Sequence, residues 1–252
     1  MIYIIRYIFI IIMVTLISYS IYKSYKLRYE SFETNNTIIK REDFDCYIIN
    51  LKKNTERMGY INELYNKSDL SSEPYIRIEA VNGKEIDVKP YVTERVYNGI
   101  LDIDKTGERK YHSQITRGAI GCYLSHLDIY NQFKNSKKPY ALIIEDDAWL
   151  NENIYESGIK NILNNIPNNW DIILLGRIEL EAVNKQHYLV MNKFWGTHGY
   201  LINKSGVSKM LELANIPIDD QIDGVMSKLS QEGKLNIYAP LNIHISSNTD
   251  LG

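Results

Sequence analysis

Residues 140–149 read YALIIEDDAW, a climb through aliphatic and aromatic residues suited to a buried strand that ends on Glu145, Asp146 and Asp147 side by side. Like charges this close repel, and their cost is relieved most directly by protons or by a cation. A solvated turn after a strand can also carry an acidic triplet. The flanking sequence separates the two readings.

Upstream, ITRGAIGCYLSHLDIYNQFKNSKKP puts Ile120, Leu124, Leu127 and Tyr130 on one helical face and stops at Pro139, which leads into YALII. Further back, CYIINL (46–51) is a short β-branched run, and NTERMGYINELYNK spaces Met58, Ile61, Leu64 and Tyr65 as a helix capped by Asn54 or Thr55. YIRIEAV (75–81) alternates as a strand and ends at the turn signal Asn82-Gly83. Residues 84–114 are charged and aperiodic, with Pro90, Gly99 and Gly107, and read as a long loop with small pieces of structure, of the kind that carries function. Downstream come a helix over 154–166, the apolar run DIILLG (171–176), YLVMNKF (188–194) and GTHGYLIN (196–203). A helix from Ser205 and the β-rich LNIYAPLNIHI (235–245) close the chain.

Strands alternating with helices imply βαβ units and a largely parallel sheet, an α/β fold. Ligands of such sheets bind outside the carboxyl ends of the strands. YALII delivers its carboxylates to that edge, where they suit a hard cation such as Mg²⁺ or Mn²⁺ completed by substrate phosphates and water.

The chain has 252 residues, 44% hydrophobic and 24% charged, with a formal net charge of -2. That is ordinary for a globular protein with a full-sized core. Its basic residues are scattered, so no electrostatic footprint for nucleic acid is present. Cys46 and Cys122 are too few for a disulfide scaffold or a zinc cluster, and both read as small hydrophobes.

The amino terminus is more specific. No charge appears from Tyr7 to Tyr22, and Ile2 to Ile5 extend the apolar stretch beyond Arg6, whose long side chain can reach headgroups. Together these reach the roughly 20 residues that span a bilayer. The rival is a cleaved signal peptide with Ser18-Tyr19-Ser20 at its cut, but bulky Ile21 and Tyr22 continue the apolar run past it. The expected organisation is a single-pass membrane anchor over 1–22, a stem over 23–44 and a catalytic domain over 45–252. Lys23, Lys26 and Arg28 outnumber Arg6 across the span, which by the positive-inside rule favours a cytosolic catalytic domain.

Several motifs fall in order: INLKKNTERM (49–58), AVNGK (80–84), RGAIGCYLSH (117–126), YALIIEDDA, GTHGYLINKSG (196–206), PIDDQIDG (217–224) and the final SSNTDLG. In these the chain resembles glycosyltransferase family 25, the group of lipopolysaccharide and procollagen galactosyltransferases. The pairing of IGCYLSH with ALIIEDDA is the specific part. The resemblance implies a GT-A type Rossmann-like domain, a UDP-sugar donor, and transfer of a hexose, galactose or glucose, to a glycan or protein hydroxyl with inversion. Glu145, Asp146 and Asp147 stand where the family has its DxD-like motif, with Asp147 as the first choice for the metal, Mn²⁺ or Mg²⁺, and Glu145 reaching the ribose or a metal-bound water. Asn50 and Arg57 match the amino-terminal pattern and would hold nucleotide or phosphates, Arg57 offering a fork of donors, though an exposed place on the helix suits Arg57 equally.

An inverting transfer needs a carboxylate to take the acceptor proton. Asp219, Asp220 and Asp223 are the candidates, with Asp219 preferred, and on a helix Asp219 and Asp223 would share one face. They also suit a helix amino terminus without any catalytic role. His198 would face the donor phosphates. His244 would complete the metal site by analogy with GT-A enzymes, while His126 reads as a packed core residue. The family commonly has Glu at the place of Ala119 and Asp at that of Asn82, so substrate choice can differ. The competing function is an inactive relative that binds sugars without transferring them; retention of both acidic clusters favours the enzyme.

Overall fold

The computed structural model describes residues 13, 15, 18, 19 and 39–248 except 112 and 215. Among these, residues 39–166 and 170–248 belong to one compact unit. Its strands are β1 (Phe44–Asn50), β2 (Tyr75–Glu79), β3 (Tyr140–Glu145), β4 (Ala148–Leu150), β5 (Ile172–Asn184), β6 (Tyr188–Asn203), β7 (Ile237–Pro240) and β8 (Ile245–Ser247). Its α-helices are α1 (Thr55–Lys67), α2 (Glu94–Thr106), α3 (Arg117–Lys134), the single turn α4 (Asn161–Leu163), α5 (Lys204–Leu213) and α6 (Ile222–Gln231).

Six strands form the central sheet in the order β2-β1-β3-β6-β5-β7. β1 pairs in parallel with β2 and β3, and β5 with β7, whereas β6 runs antiparallel to β3, β5 and β7. The sheet is therefore mostly parallel, as the alternation of elements implies. Near-continuous apolar strands mark a sheet buried on both faces. Alternate residues accordingly enter two cores: Tyr47, Ile49, Ala141, Ile143, Ile172 and Leu174 in one, with α3, α5 and α6. Cys46, Ile48, Leu142, Ile144, Ile173 and Leu175 enter the other, with α1 and β8.

Residues 84–114 differ from the sequence reading. They hold α2, capped by the Thr93 hydroxyl and closed by Gly107 in the left-handed region, with Val96 and Ile100 buried. Charged residues on its outer face masked a four-residue apolar spacing. The helix expected over 154–166 is a π-helical stretch, Ile154–Lys160, running into α4. DIILLG is only the start of β5, and the two segments expected after it are one continuous strand, β6. The stem expected over 23–44 overlaps the folded unit, because Arg41, only 6% exposed, bonds Leu70 O, Phe44 O and the Tyr65 hydroxyl.

The single-pass membrane placement is corrected: among the described residues no helix is long and apolar enough to cross a membrane. The cytosolic side expected for the domain falls with it. The expected span, residues 1–22, lies outside the described residues apart from Met13, Thr15, Ser18 and Tyr19.

Candidate active site

Strand parity sets the first part of the site. Glu145 follows Ile143 on one face of β3, and His198 precedes Tyr200 on the same face of β6. The last registered pair is Ile144 with Gly199, so Glu145 and His198 come level just beyond it. Asp147 turns back to them after β3, and one ligand atom from each of Glu145, Asp147 and His198 lies within 4.8 Å of the others. Gly196 shapes this corner: its φ is +84°, and a Cβ there would stand 2.7 Å from His198 Nε2. The ring thus lies over bare backbone.

The electrostatics would suit a cation. Asp147 Oδ1 and His198 Nδ1 are both buried with no hydrogen-bond partner among the described residues. A buried polar atom left unpaired is costly, and a divalent cation between a carboxylate and an imidazole would pair both. Burial, with Glu145 beside it, pushes the Asp147 carboxyl up, while His198 and Arg57 pull it down by less. Burial also works to raise Glu145, but His126, Thr197 and His198 together hold it below the ordinary carboxylate range. Its Oε1 accepts from Thr197 Oγ1 at 2.5 Å and lies 3.4 Å from His126 Nε2.

Asp146 plays a different part. Its Oδ2 accepts from Asn50 Nδ2 at 2.6 Å, and its Oδ1 from Arg57 at 3.3 Å. Asn50 also donates to Asn54 O at 3.0 Å and accepts from Arg77 at 2.6 Å. Both of its N–H groups are therefore used. Asn50 and Asp146 tie the ends of β1 and β3 to the start of α1, and Arg57 is set 4.0 Å from Asp147. Beside them a cleft of 530 Å³ opens at the carboxyl ends of β1 and β2, lined by Leu51, Lys53, Glu79, Val81, Asn82 and Ile86 among others.

The structure separates the three aspartates. Asp219 precedes α6, so the shared helical face does not form. Its carboxylate accepts from Thr93 at 2.6 Å and Arg95 at 3.2 Å, and those partners hold it below the ordinary range. Asp220 accepts from the Gln221 N–H. Asp223, in the first turn of α6, accepts from Gly196 N and Gly224 N, each at 2.8 Å. Through Gly196, where a Cβ would stand 2.7 Å from His198 Nε2, it reaches the corner of the cluster.

His244 does not join the cluster. Its backbone bonds Leu175 O and Asn151 N, and its ring faces Gly158, whose Cβ would come within 2.9 Å. Burial and Arg177 push it down. Sequence reasoning placed His126 in the core, where it is, but missed its second contact, with Glu145; the LSH spacing on α3 was the available signal.

The description "Glycosyltransferase family 25 (LPS biosynthesis protein)" matches residues 44–224. The chain belongs to glycosyltransferase family 25. Among curated relatives, a glycosyltransferase 25 family member of Drosophila melanogaster is 31% identical over 70% of this chain and 28% of its own length. Procollagen galactosyltransferase 1 of Danio rerio is 24% identical over 73% of this chain and 32% of its own. This family 25 chain thus spans less than a third of either relative. A crystal structure of a glycosyltransferase involved in glycosylation of the major capsid of PBCV-1 is 10% identical, covers 82% of this chain and 92% of its own, and gives a TM-score of 0.40. That score is too low to bear on the fold, which rests on the strand order itself.

Proposed function

We propose that this glycosyltransferase moves a hexose from a UDP-sugar to a hydroxyl of a glycan or protein acceptor, with inversion and with a divalent cation, Mn²⁺ or Mg²⁺, at Glu145, Asp147 and His198. The observation that carries the reading is the pair of orphaned buried atoms, Asp147 Oδ1 and His198 Nδ1, in one cluster at the ligand-binding edge of the sheet. When bound there, the cation neutralises charge on the diphosphate as the sugar leaves. The 530 Å³ cleft is the place for the nucleoside, one strand away from the cluster. Arg57, oriented by Asp146 and 4.0 Å from Asp147, would meet the diphosphate.

Asp223 fits the base better than Asp219. Its carboxylate accepts from the N–H of Gly196, the residue over which the His198 ring lies, whereas Asp219 is held by Arg95. In the transfer Asp223 takes the proton of the acceptor hydroxyl, the oxygen bonds to the anomeric carbon, and the bond from that carbon to the diphosphate breaks with its electrons on phosphate. Two fixed backbone N–H groups keep the carboxylate aimed. The relatives named procollagen galactosyltransferase make galactose the first sugar to try.

A thermal-shift screen of UDP-sugars with Mn²⁺ tests the reading, because ligand binding to the native state raises the midpoint. Stabilisation by at least one UDP-hexose is expected. No shift with any of them, at concentrations that saturate related enzymes, would sink it.

A further inference from the structure

Glu145 has a second set of neighbours. Cys122 and His126 are four residues apart on α3, hence on one helical face. That face meets β3 so that ligand atoms of Cys122, His126 and Glu145 lie within 4.8 Å of one another. His126 Nε2 is 3.4 Å from Glu145 Oε1. This is long for a charge-assisted hydrogen bond, but two ligands of one tetrahedral zinc, each about 2.0–2.1 Å from it, stand about 3.3–3.4 Å apart. The other ring nitrogen is already fixed: Nδ1 lies 2.7 Å from the Tyr200 hydroxyl, which lies 2.6 Å from that of Tyr130. Metal-binding histidines are held in this way, with one nitrogen committed to an outer partner and the other aimed at the metal.

We propose that Cys122, His126 and Glu145 form a second cation site, selective for zinc, which competes for Glu145 with the donor-binding cluster. The ligand types decide the selectivity. Thiolate and imidazole favour Zn²⁺ over Mg²⁺ or Mn²⁺, which prefer oxygen. Binding replaces the thiol proton, which passes to solvent, with a sulfur–zinc bond. Three protein ligands leave one position for water. Zinc in this site turns the Glu145 carboxylate toward α3 and away from Asp147, so zinc inhibits transfer. Only that last consequence rests on the function proposed above.

Cobalt(II), a spectroscopic stand-in for zinc, gives a direct test on the full chain without any sugar donor. Titration should produce a thiolate-to-cobalt charge-transfer band that added Zn²⁺ abolishes by displacement. The band should vanish in Cys122→Ser and Cys122→Ala and persist in Cys46→Ser and Asp147→Asn. No band in the wild type, or an equal band in whichever Cys122 variant keeps the wild-type circular dichroism, would overturn the site. A failed transferase assay would leave this result standing, and a missing band would leave the transferase reading intact.

Discussion

Asp147 has one buried oxygen unpaired and a carboxyl pushed up by burial and by Glu145. A carboxyl raised above its unfolded value adds stability at low pH that is lost as pH rises through the folded value. In the metal-free protein, ionising Asp147 therefore costs stability as pH rises. Asp147→Asn should match or exceed the wild-type midpoint without metal, yet lose the stabilisation by Mn²⁺ and cut turnover by about 10²-fold or more. Wild-type response to Mn²⁺ in that variant would move the cation elsewhere. By the same sign, Mn²⁺ affinity should fall as pH drops through the raised Asp147 value, measured by calorimetry. For the base, Asp223→Asn should lower turnover by about 10²-fold or more with donor affinity preserved, and Asp219→Asn by much less. The reverse order would return the role to Asp219.

At the level of elements, the wall of the cleft proposed for the nucleoside depends on α3. A Cβ at Gly121 would stand 2.3 Å from Val81 O and 2.7 Å from Gly83 N, so the loop after β2 rests directly on helix backbone. Gly121→Ala should cost on the order of 1–3 kcal/mol by overpacking, read in denaturant unfolding, and should weaken donor binding as Val81 and Asn82 shift. An unchanged unfolding midpoint would show that the loop yields freely. The same elements show what the sequence made legible. The βαβ pattern, YALII with its acidic end, and the closeness of Glu145 to Asp147 could be read from local spacing, because strand parity and helix period are local properties. Helix α2 escaped, although Thr93, Val96, Ile100 and Gly107 mark its ends and its face, since charge between them diluted the pattern. The separation of Asp219 from Asp223 depends on where α6 starts, and the partners that settle it, Arg95 and Gly196, are distant in sequence. The placement of His244 likewise turns on how β8 crosses the end of β5, which no short-range signal encodes.

Across the described residues, the mostly parallel sheet gathers residues from separate segments at its carboxyl edge: Asn50 from the end of β1 and Arg57 from α1, Glu145 to Asp147 from the end of β3 and just after it, His198 from the reversed strand and Asp223 from the last helix. The chain belongs to glycosyltransferase family 25; transfer with a cation and a UDP-sugar donor is what we propose for this edge. The direct measurement is donor cleavage by mass spectrometry, with a UDP-hexose and either Mn²⁺ or a chelator, on the wild type and on Asp147→Asn. Release of UDP by the wild type with Mn²⁺, lost with the chelator and lost in the variant, is the predicted result. Cleavage that proceeds equally in the chelator, or undiminished in Asp147→Asn, would contradict a catalytic cation at Glu145, Asp147 and His198.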